Sequence, residues 1–181
     1  MFMEISLTII ADQKIAPGVE LSSFGAVEIL NNPTKCNLNM NLKELKSEEF
    51  ETVYALLQES KLDYSDLKQP NIRVFRFEEN SEVIGVGGLE IFDDLALLRS
   101  VAIKKERQSK GFGKEIVHYI EEAAKKSGIG SLYLLTNTAP VFFEAIGYLR
   151  INRDDFAESL KQTAQFSGLC PVSAVCMKKI L

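Results

Sequence analysis

The sequence contains no tryptophan, a single histidine (His118) and only three cysteines, Cys36, Cys170 and Cys176. Each scarcity removes a class of protein. One histidine and three thiols at these spacings fit no zinc motif, and an odd, sparse set of cysteines builds no disulfide framework. The thiols read as reduced and buried, with a thiol pair that binds a soft ion or metalloid as the sharper alternative. Positive charge is not in surplus either. Lys and Arg number 21 against 25 Asp and Glu, a formal charge of −4, which argues against a protein that binds by neutralising nucleic-acid phosphates. Long apolar runs are also missing. The run "ISLTII" is followed by Asp12 and preceded by no basic stretch, so it does not read as a secretory leader. Nothing approaches the ~20 apolar residues of a membrane span. The expectation is a cytoplasmic protein without nucleic-acid, membrane or metal partners; a homodimer is left open.

What is present is globular. Hydrophobic residues make up 46% and charged residues 25% of 181, with 11 Phe, enough for one main core of aliphatic side chains filled out by phenylalanine. Residues 1–38 carry closely spaced turn residues, in "ADQKIAPG" and "LNNPTKCN", around short apolar runs. They read as an extension with short strands at 3–10 and 27–30, ahead of a domain over residues 39–181.

From Met40 the pattern becomes regular. "MNLKELK" predicts a strand. Ser47 is placed to cap a helix running to about Ser60, with Glu48 and Glu49 in its first turn and Phe50, Val53, Tyr54 and Leu57 on one face. "LDYSDLKQP" reads as a loop or short helix. "NIRVFRFEE", "VIGVGGLEIF" and "LALLRSVAI" then predict an antiparallel meander of three strands. Phe112, Ile116, Val117, Ile120 and Ala124 recur at helical spacing up to Gly128, and "SLYLLT" predicts a buried strand parallel to the one before the helix. A helix over about 139–146, a helix in "DDFAESLKQTAQF" and strands in "YLRIN" and "SAVCMKKIL" complete the chain. His118 falls outside the apolar stripe of its helix and reads as a surface residue.

The stretch that carries chemistry is "RQSKGFGKE" between a strand and a helix. The first amides of a helix lack intrahelical partners and sit at the positive end of its dipole. Gly111 and Gly113 have no side chains to keep an anion away, and Lys110 and Lys114 add charge, so a pyrophosphate fits. Two familiar phosphate motifs fail. A P-loop needs Gly where Gln108 stands and Ser or Thr where Glu115 stands, and a dinucleotide fingerprint needs Gly where Ile116 stands. "GVGGLE" lies inside a strand, where its glycines read as a bulge or a close approach of another segment.

Gln108-Ser-Lys-Gly-Phe-Gly113, placed between meander and helix and followed by "LYLLT" and "FFEAIGY", resembles the signature of the GNAT superfamily of acetyl-coenzyme A dependent N-acetyltransferases. The likeness covers residues 40–181. "ALLRSVAI", "LYLLTNTAPVFFEAIGY" and "TAQFSGLCPVSAVCMKKIL" are further similar to bacterial acetyltransferases associated with arsenic resistance, relatives of the acetyltransferase domain of N-acetylglutamate synthase. The resemblance implies an α+β (mixed α/β) fold. Its mostly antiparallel sheet has about six to seven strands, helices on both faces and a V-shaped splay between the fourth and fifth strands.

It also implies acetyl-CoA as cosubstrate and direct transfer to the primary amine of a small, amino-acid-like substrate in a ternary complex. The pyrophosphate would lie on Gln108, Ser109, Lys110, Gly111, Phe112, Gly113 and Lys114, and the pantetheine beside Val101, Ala102 and Ile103. Thr136, with Asn137 one place later, and Phe143 take positions of further cofactor contacts. Glu90 is the candidate general base. Phe143 stands where many members have a tyrosine acid, so the proton comes from another residue such as Tyr148, from water, or from no dedicated acid. Arg99 either binds a substrate carboxylate or pairs with Asp93, Asp94 or Glu90. Cys170 and Cys176 are expected near the acceptor pocket or core. Two other readings compete: a non-catalytic acyl-CoA-binding sensor, for which the missing tyrosine argues, and a thiol-based metalloid-binding protein.

Overall fold

The computed structural model describes residues 40–181. The strands expected at 3–10 and 27–30, Cys36 and the boundary at 38/39 lie outside the described residues. Seven strands form one sheet in the order β1-β2-β3-β4-β5-β7-β6. β1 (Met40–Leu45), β2 (Ile72–Glu79), β3 (Glu82–Phe92) and β4 (Leu95–Ile103) make an antiparallel meander. β5 (Ser131–Thr136) joins β4 in parallel, and β6 (Leu149–Ile151) and β7 (Val175–Ile180) extend the far edge antiparallel.

Helices cover both faces because strand side chains alternate across the sheet. α1 (Glu51–Glu59) lays Val53, Leu56 and Leu57 on Val74, Val86 and Ala102. On the opposite face α2 (Phe112–Lys126) lays Phe112, Ile116, Val117 and Ile120 on Phe77, Leu89, Leu98 and Val101. The glycines of β3 make that second approach close. A Cβ on Gly85 or Gly87 would stand 2.4 Å from the Cδ1 of Ile116 or Ile120 respectively. Both readings of "GVGGLE" are realised: α2 approaches closely over Gly85 and Gly87, and the β3–β4 register shifts at Gly87. α2 stops at Gly128, whose φ of +80° lets Ile129 N–H turn back to Ala124 O at 3.1 Å. His118 is exposed, as its phase predicted.

Two expectations need correction. Ser47 does not cap α1. Residues 47–49 form a separate 3-10 turn, closed by Glu49, whose carboxylate accepts the Lys46 N–H at 3.1 Å. The helix predicted over "DDFAESLKQTAQF" is broken into a 3-10 turn, the single turn α4 (Glu158–Lys161) and a π turn at Gln165–Leu169. Phe156 takes an extended backbone so that its ring meets Tyr133 and Phe166. Buried Thr163 gives its hydroxyl to Leu160 O and accepts Phe166 N–H on Oγ1, which offers the backbone an alternative to continuing the helix. Of the two readings of "LDYSDLKQP", the stretch over 62–70 takes the loop. α3 (Pro140–Ala145) is close to its expected length and ends before Gly147, which has φ +96°.

Candidate functional site

β4 and β5 pair at only three positions, Leu95 with Ser131, Ala96 with Leu132 and Leu97 with Tyr133, and then part. This is the splay expected between the fourth and fifth strands. A β-bulge lies just beyond the parting: Gly88 pairs with Arg99 and Val86 with Ala102, so Ser100 and Val101 together oppose Gly87. Ser100 takes φ +55°, unusual for a residue with a side chain. A cleft opens in the gap. Leu98, Arg99, Ser100 and Val101 line it from β4, and Leu134 and Thr136 from β5. Phe143 of α3, Gln165 and Cys170 of the tail, and Leu62 and Asp63 of the loop after α1 close its ends.

The glycine loop turns at one end of β4. Gln108 donates its Nε2 to Ile103 O at 3.2 Å, which ties the loop to the strand. Ser109 at φ +59° and Gly111 at φ +86° reverse the chain, and Gly111 O accepts the amides of Lys114 (3.1 Å) and Glu115 (3.3 Å) to start α2. Ser109, Lys110, Gly111 and Lys114 are exposed, so a cation pair and a bare glycine face solvent at a helix N-terminus. Phe112 is in the core. Gly113 is also buried, and a Cβ there would stand 3.1 Å from Ile103 Cδ1 and 3.4 Å from Phe142 Cζ. Of the two glycines read as leaving room for an anion, only Gly111 lies open; Gly113 lets α2 pack on β4 and α3. On β4, Val101 lines the cleft, whereas Ala102 turns its side chain to α1 and Ile103 to α2.

Glu90 and Arg99 share one face of the meander, because Glu90 is paired with Leu97 and Gly88 with Arg99. Arg99 Nη1 donates to Glu90 Oε2 at 3.0 Å. Its fork also closes on Asp66, with Nη1 to Oδ2 at 2.8 Å and Nη2 to Oδ1 at 2.5 Å. Asp66 comes from the loop after α1, and neither Asp93 nor Asp94 is the partner. The guanidinium is thus engaged, rather than free for a substrate carboxylate. Arg99 lines the cleft and Glu90 stands directly behind it, 6% exposed. Burial pushes the Glu90 carboxyl above its usual range against the pull of Arg99; the Asp66 carboxylate adds to the push and a hydrogen bond with Asn71 opposes it.

Tyr148 does not reach the cleft, which corrects its reading as an acid. Its ring packs edge-on against Phe143 at 5.4 Å in the core. The hydroxyl stands near the Glu121 carboxylate of α2 without closing a hydrogen bond of normal geometry. Burial, with that carboxylate, holds the phenol well above its ordinary value, which makes it a poor proton donor. Thr136 and Phe143 both line the cleft, and Thr136 Oγ1 accepts the Ala139 N–H at 3.1 Å, fixing the approach to α3. The Cys170 thiol lies 3.1 Å from Gln165 Oε1, and burial pushes it up to about 11. Cys176 is buried behind it with Leu97 and Tyr133, and no group of metal-ligating side chains is assembled among the described residues.

Sequence reasoning missed Asp63, Asp66, Ser100 and Gln165. The two aspartates of "LDYSDLKQP" were visible as acids in a loop, but nothing local says that the loop returns to β4. Gln165 lay inside a stretch misread as a continuous helix. No signal marks Ser100, since a left-handed serine has no sequence signature.

The family described as Acetyltransferase (GNAT) family matches residues 39–151. An uncharacterized N-acetyltransferase of Chlorobaculum tepidum is 28% identical over 87 residues, 48% of this chain and 56% of that protein. Among solved structures, N-acetylglutamate synthase of Neisseria gonorrhoeae, complexed with coenzyme A and N-acetyl-glutamate, superposes with a TM-score of 0.66 at 19% identity, over 78% of this chain and 35% of its own. PaiA N-acetyltransferase of Thermoplasma acidophilum, in complex with coenzyme A, gives 0.58 at 17% identity, over 78% and 99%. At these identities the structural likeness shows the fold alone. The chain spans about half the length of the curated relative and about a third of the synthase.

Proposed function

Because the chain belongs to the acetyltransferase (GNAT) family, we propose that it transfers the acetyl group of acetyl-CoA directly to the primary amine of a small acceptor, with both substrates held together in the β4–β5 cleft. The observation that carries this reading is the parting of β4 from β5 after three residue pairs. It leaves the inner edge of β4 beside a cleft and one strand's length from an exposed helix N-terminus. Acetyl-CoA supplies an activated acyl group and a thiolate that leaves readily.

The chain's residues divide the work by position. Lys110, Gly111 and Lys114 hold a diphosphate at the start of α2, where Gly111 has no Cβ to block the first amides. The parting of β4 from β5 after Leu97 leaves the cleft-side backbone of Leu98 to Val101 without a strand partner, for an extended pantetheine chain and for the negative charge that grows on the acetyl oxygen. Glu90 acts as base through water past Arg99, and burial, which raises its pKa, makes it a stronger proton acceptor than an exposed carboxylate. With Phe143 lacking a hydroxyl and Tyr148 turned to α2, the leaving thiolate takes its proton from water or from the attacking nitrogen. Cys170, protonated beside Gln165, packs against the acceptor and does not attack it. An amino-acid-like acceptor places its carboxylate on Arg99 only by displacing Asp66. The tail's likeness to proteins of arsenic resistance puts arsenical amino-acid analogues among the acceptors to try.

Calorimetric titration with acetyl-CoA tests the binding half. Heat and a stabilisation of about 3 kcal/mol at ~100-fold excess over Kd are expected, and neither heat nor a rise in Tm overturns the proposal. A screen of amino acids, amine antibiotics and arsenical analogues, read by free coenzyme A, tests transfer. Binding without thiol release across the panel favours the sensor instead.

A further inference from the structure

The Asp66–Arg99 pair joins the loop after α1 to the wall of the cleft, and nothing in the transfer chemistry above uses Asp66. Its geometry is unequal. Arg99 gives Asp66 two parallel hydrogen bonds, 2.5 and 2.8 Å, and gives Glu90 one at 3.0 Å from the same Nη1 that already serves Asp66. The Arg99 side chain is 1% exposed, Glu90 9% and Asp66 15%, so the three charges interact with little solvent between them. Two carboxylates therefore compete for one buried guanidinium, and the one that is not on the sheet holds the better geometry.

We propose that Asp66 is a positioning residue of this site: by holding the Arg99 fork bidentately it limits the positive charge delivered to Glu90 and keeps that carboxylate basic enough to take a proton. The inference rests on the reading of Glu90 as the base. The charged groups that act on Glu90 are Arg99 from β4 and Asp66 from the loop, with Asn71 as a neutral partner at the start of β2. Arg99 favours the carboxylate form, and Asp66 opposes it twice, by its own negative charge and by occupying the fork. Without Asp66 the guanidinium belongs to Glu90 alone, and Glu90 becomes a weaker base. Coupling a base to the loop after α1, whose Leu62 and Asp63 line the cleft, also makes its strength depend on where that loop sits.

Opposite substitutions must move the site in opposite directions. In Asp66→Asn the Glu90 carboxyl should titrate lower by about one pH unit, and in Arg99→Gln higher by a similar amount. The direct readout is a carbon-13 NMR titration of Glu90 in the whole protein, assigned by its loss in Glu90→Gln. The catalytic readout is the acid limb of kcat/KM, which should shift the same way. Because Arg99→Gln leaves two buried carboxylates facing each other and can fail to fold, Asp66→Asn decides alone in that case. Lost packing of the loop lowers kcat or raises KM without moving the Glu90 titration, so an unchanged or raised Glu90 pKa in Asp66→Asn overturns the inference. If Glu90→Gln keeps full turnover, Glu90 is not the base, whatever the NMR titration of Asp66→Asn shows.

Discussion

Gly87 lies directly beneath Ile120: a Cβ on the glycine would stand 2.4 Å from the isoleucine Cδ1, closer than real atoms come. α2 is seated on β3 through that missing methyl group, and α2 in turn carries the exposed loop glycine to the end of β4. Gly87→Ala should destabilise the protein by about 1–3 kcal/mol as an overpacked core. Ile120→Val removes the colliding Cδ1. In urea denaturation the double variant should therefore be less destabilised than the sum of the singles by about 1 kcal/mol, a coupling that two independent sites would not show.

Tyr148→Phe should leave turnover unchanged. Its hydroxyl is buried without a hydrogen-bond partner and is turned to α2, so its removal relieves a desolvated polar group instead of deleting a catalyst. Stability should change by less than about 1 kcal/mol, in the favourable direction if at all. A hundred-fold loss of kcat with stability intact would restore Tyr148 to the site.

The two glycines of the loop should separate in experiment. Gly111→Val forces a β-branched residue to φ +86° at an exposed turn and should weaken acetyl-CoA binding at least ~10-fold, measured by calorimetry, with a stability cost of about 1–2 kcal/mol. Gly113→Val pushes side-chain atoms against Ile103 and Phe142 and should act first on Tm. Equal effects of both on binding, with no difference in Tm, would mean that both glycines serve the ligand.

Cys170 should be a slow nucleophile. With the folded thiol pushed up to about 11, alkylation by iodoacetamide should stay slow at pH 8 and accelerate only near pH 11, unlike a free thiol. The linkage has a definite sign: between about pH 9 and 11 the unfolded chain loses this proton and the folded one keeps it. Stability then falls as pH rises through that window. Rapid alkylation at pH 7 in the folded protein would contradict the burial of this thiol.

Much of the frame was readable because it is written locally. Alternation in "IRVFRF" marked β2, helical spacing from Phe112 to Ala124 marked α2, and Gly128 marked its end. The turn between β4 and α2 was placed for the same reason, by glycines and lysines set between a β-branched run and a helical pattern. What stayed hidden depends on contacts distant in sequence. Arg99 was weighed against Asp93, Asp94 and Glu90 because they are near it in the chain, whereas Asp66 arrives only when the loop after α1 folds back, 33 residues away. Tyr148 lies five residues from Phe143 and suggested a substitute hydroxyl, yet the turn at Gly147 sends its ring to Glu121. The glycines of β3 pointed to a bulge, but its extra residue lies on the facing strand at Ser100, which has no residue pattern of its own.

The three-pair seam between β4 and β5 has a mechanical consequence. It divides the described sheet into a four-stranded leaf, β1 to β4, and a three-stranded leaf, β5 to β7, which share only that short run of direct backbone pairing. The leaves otherwise adhere through side chains, which tolerate small tilts better than a hydrogen-bonded ladder does. The protein is built like a book with a short spine, and the width of the opening is set at Leu97 and Tyr133, where the binding stops.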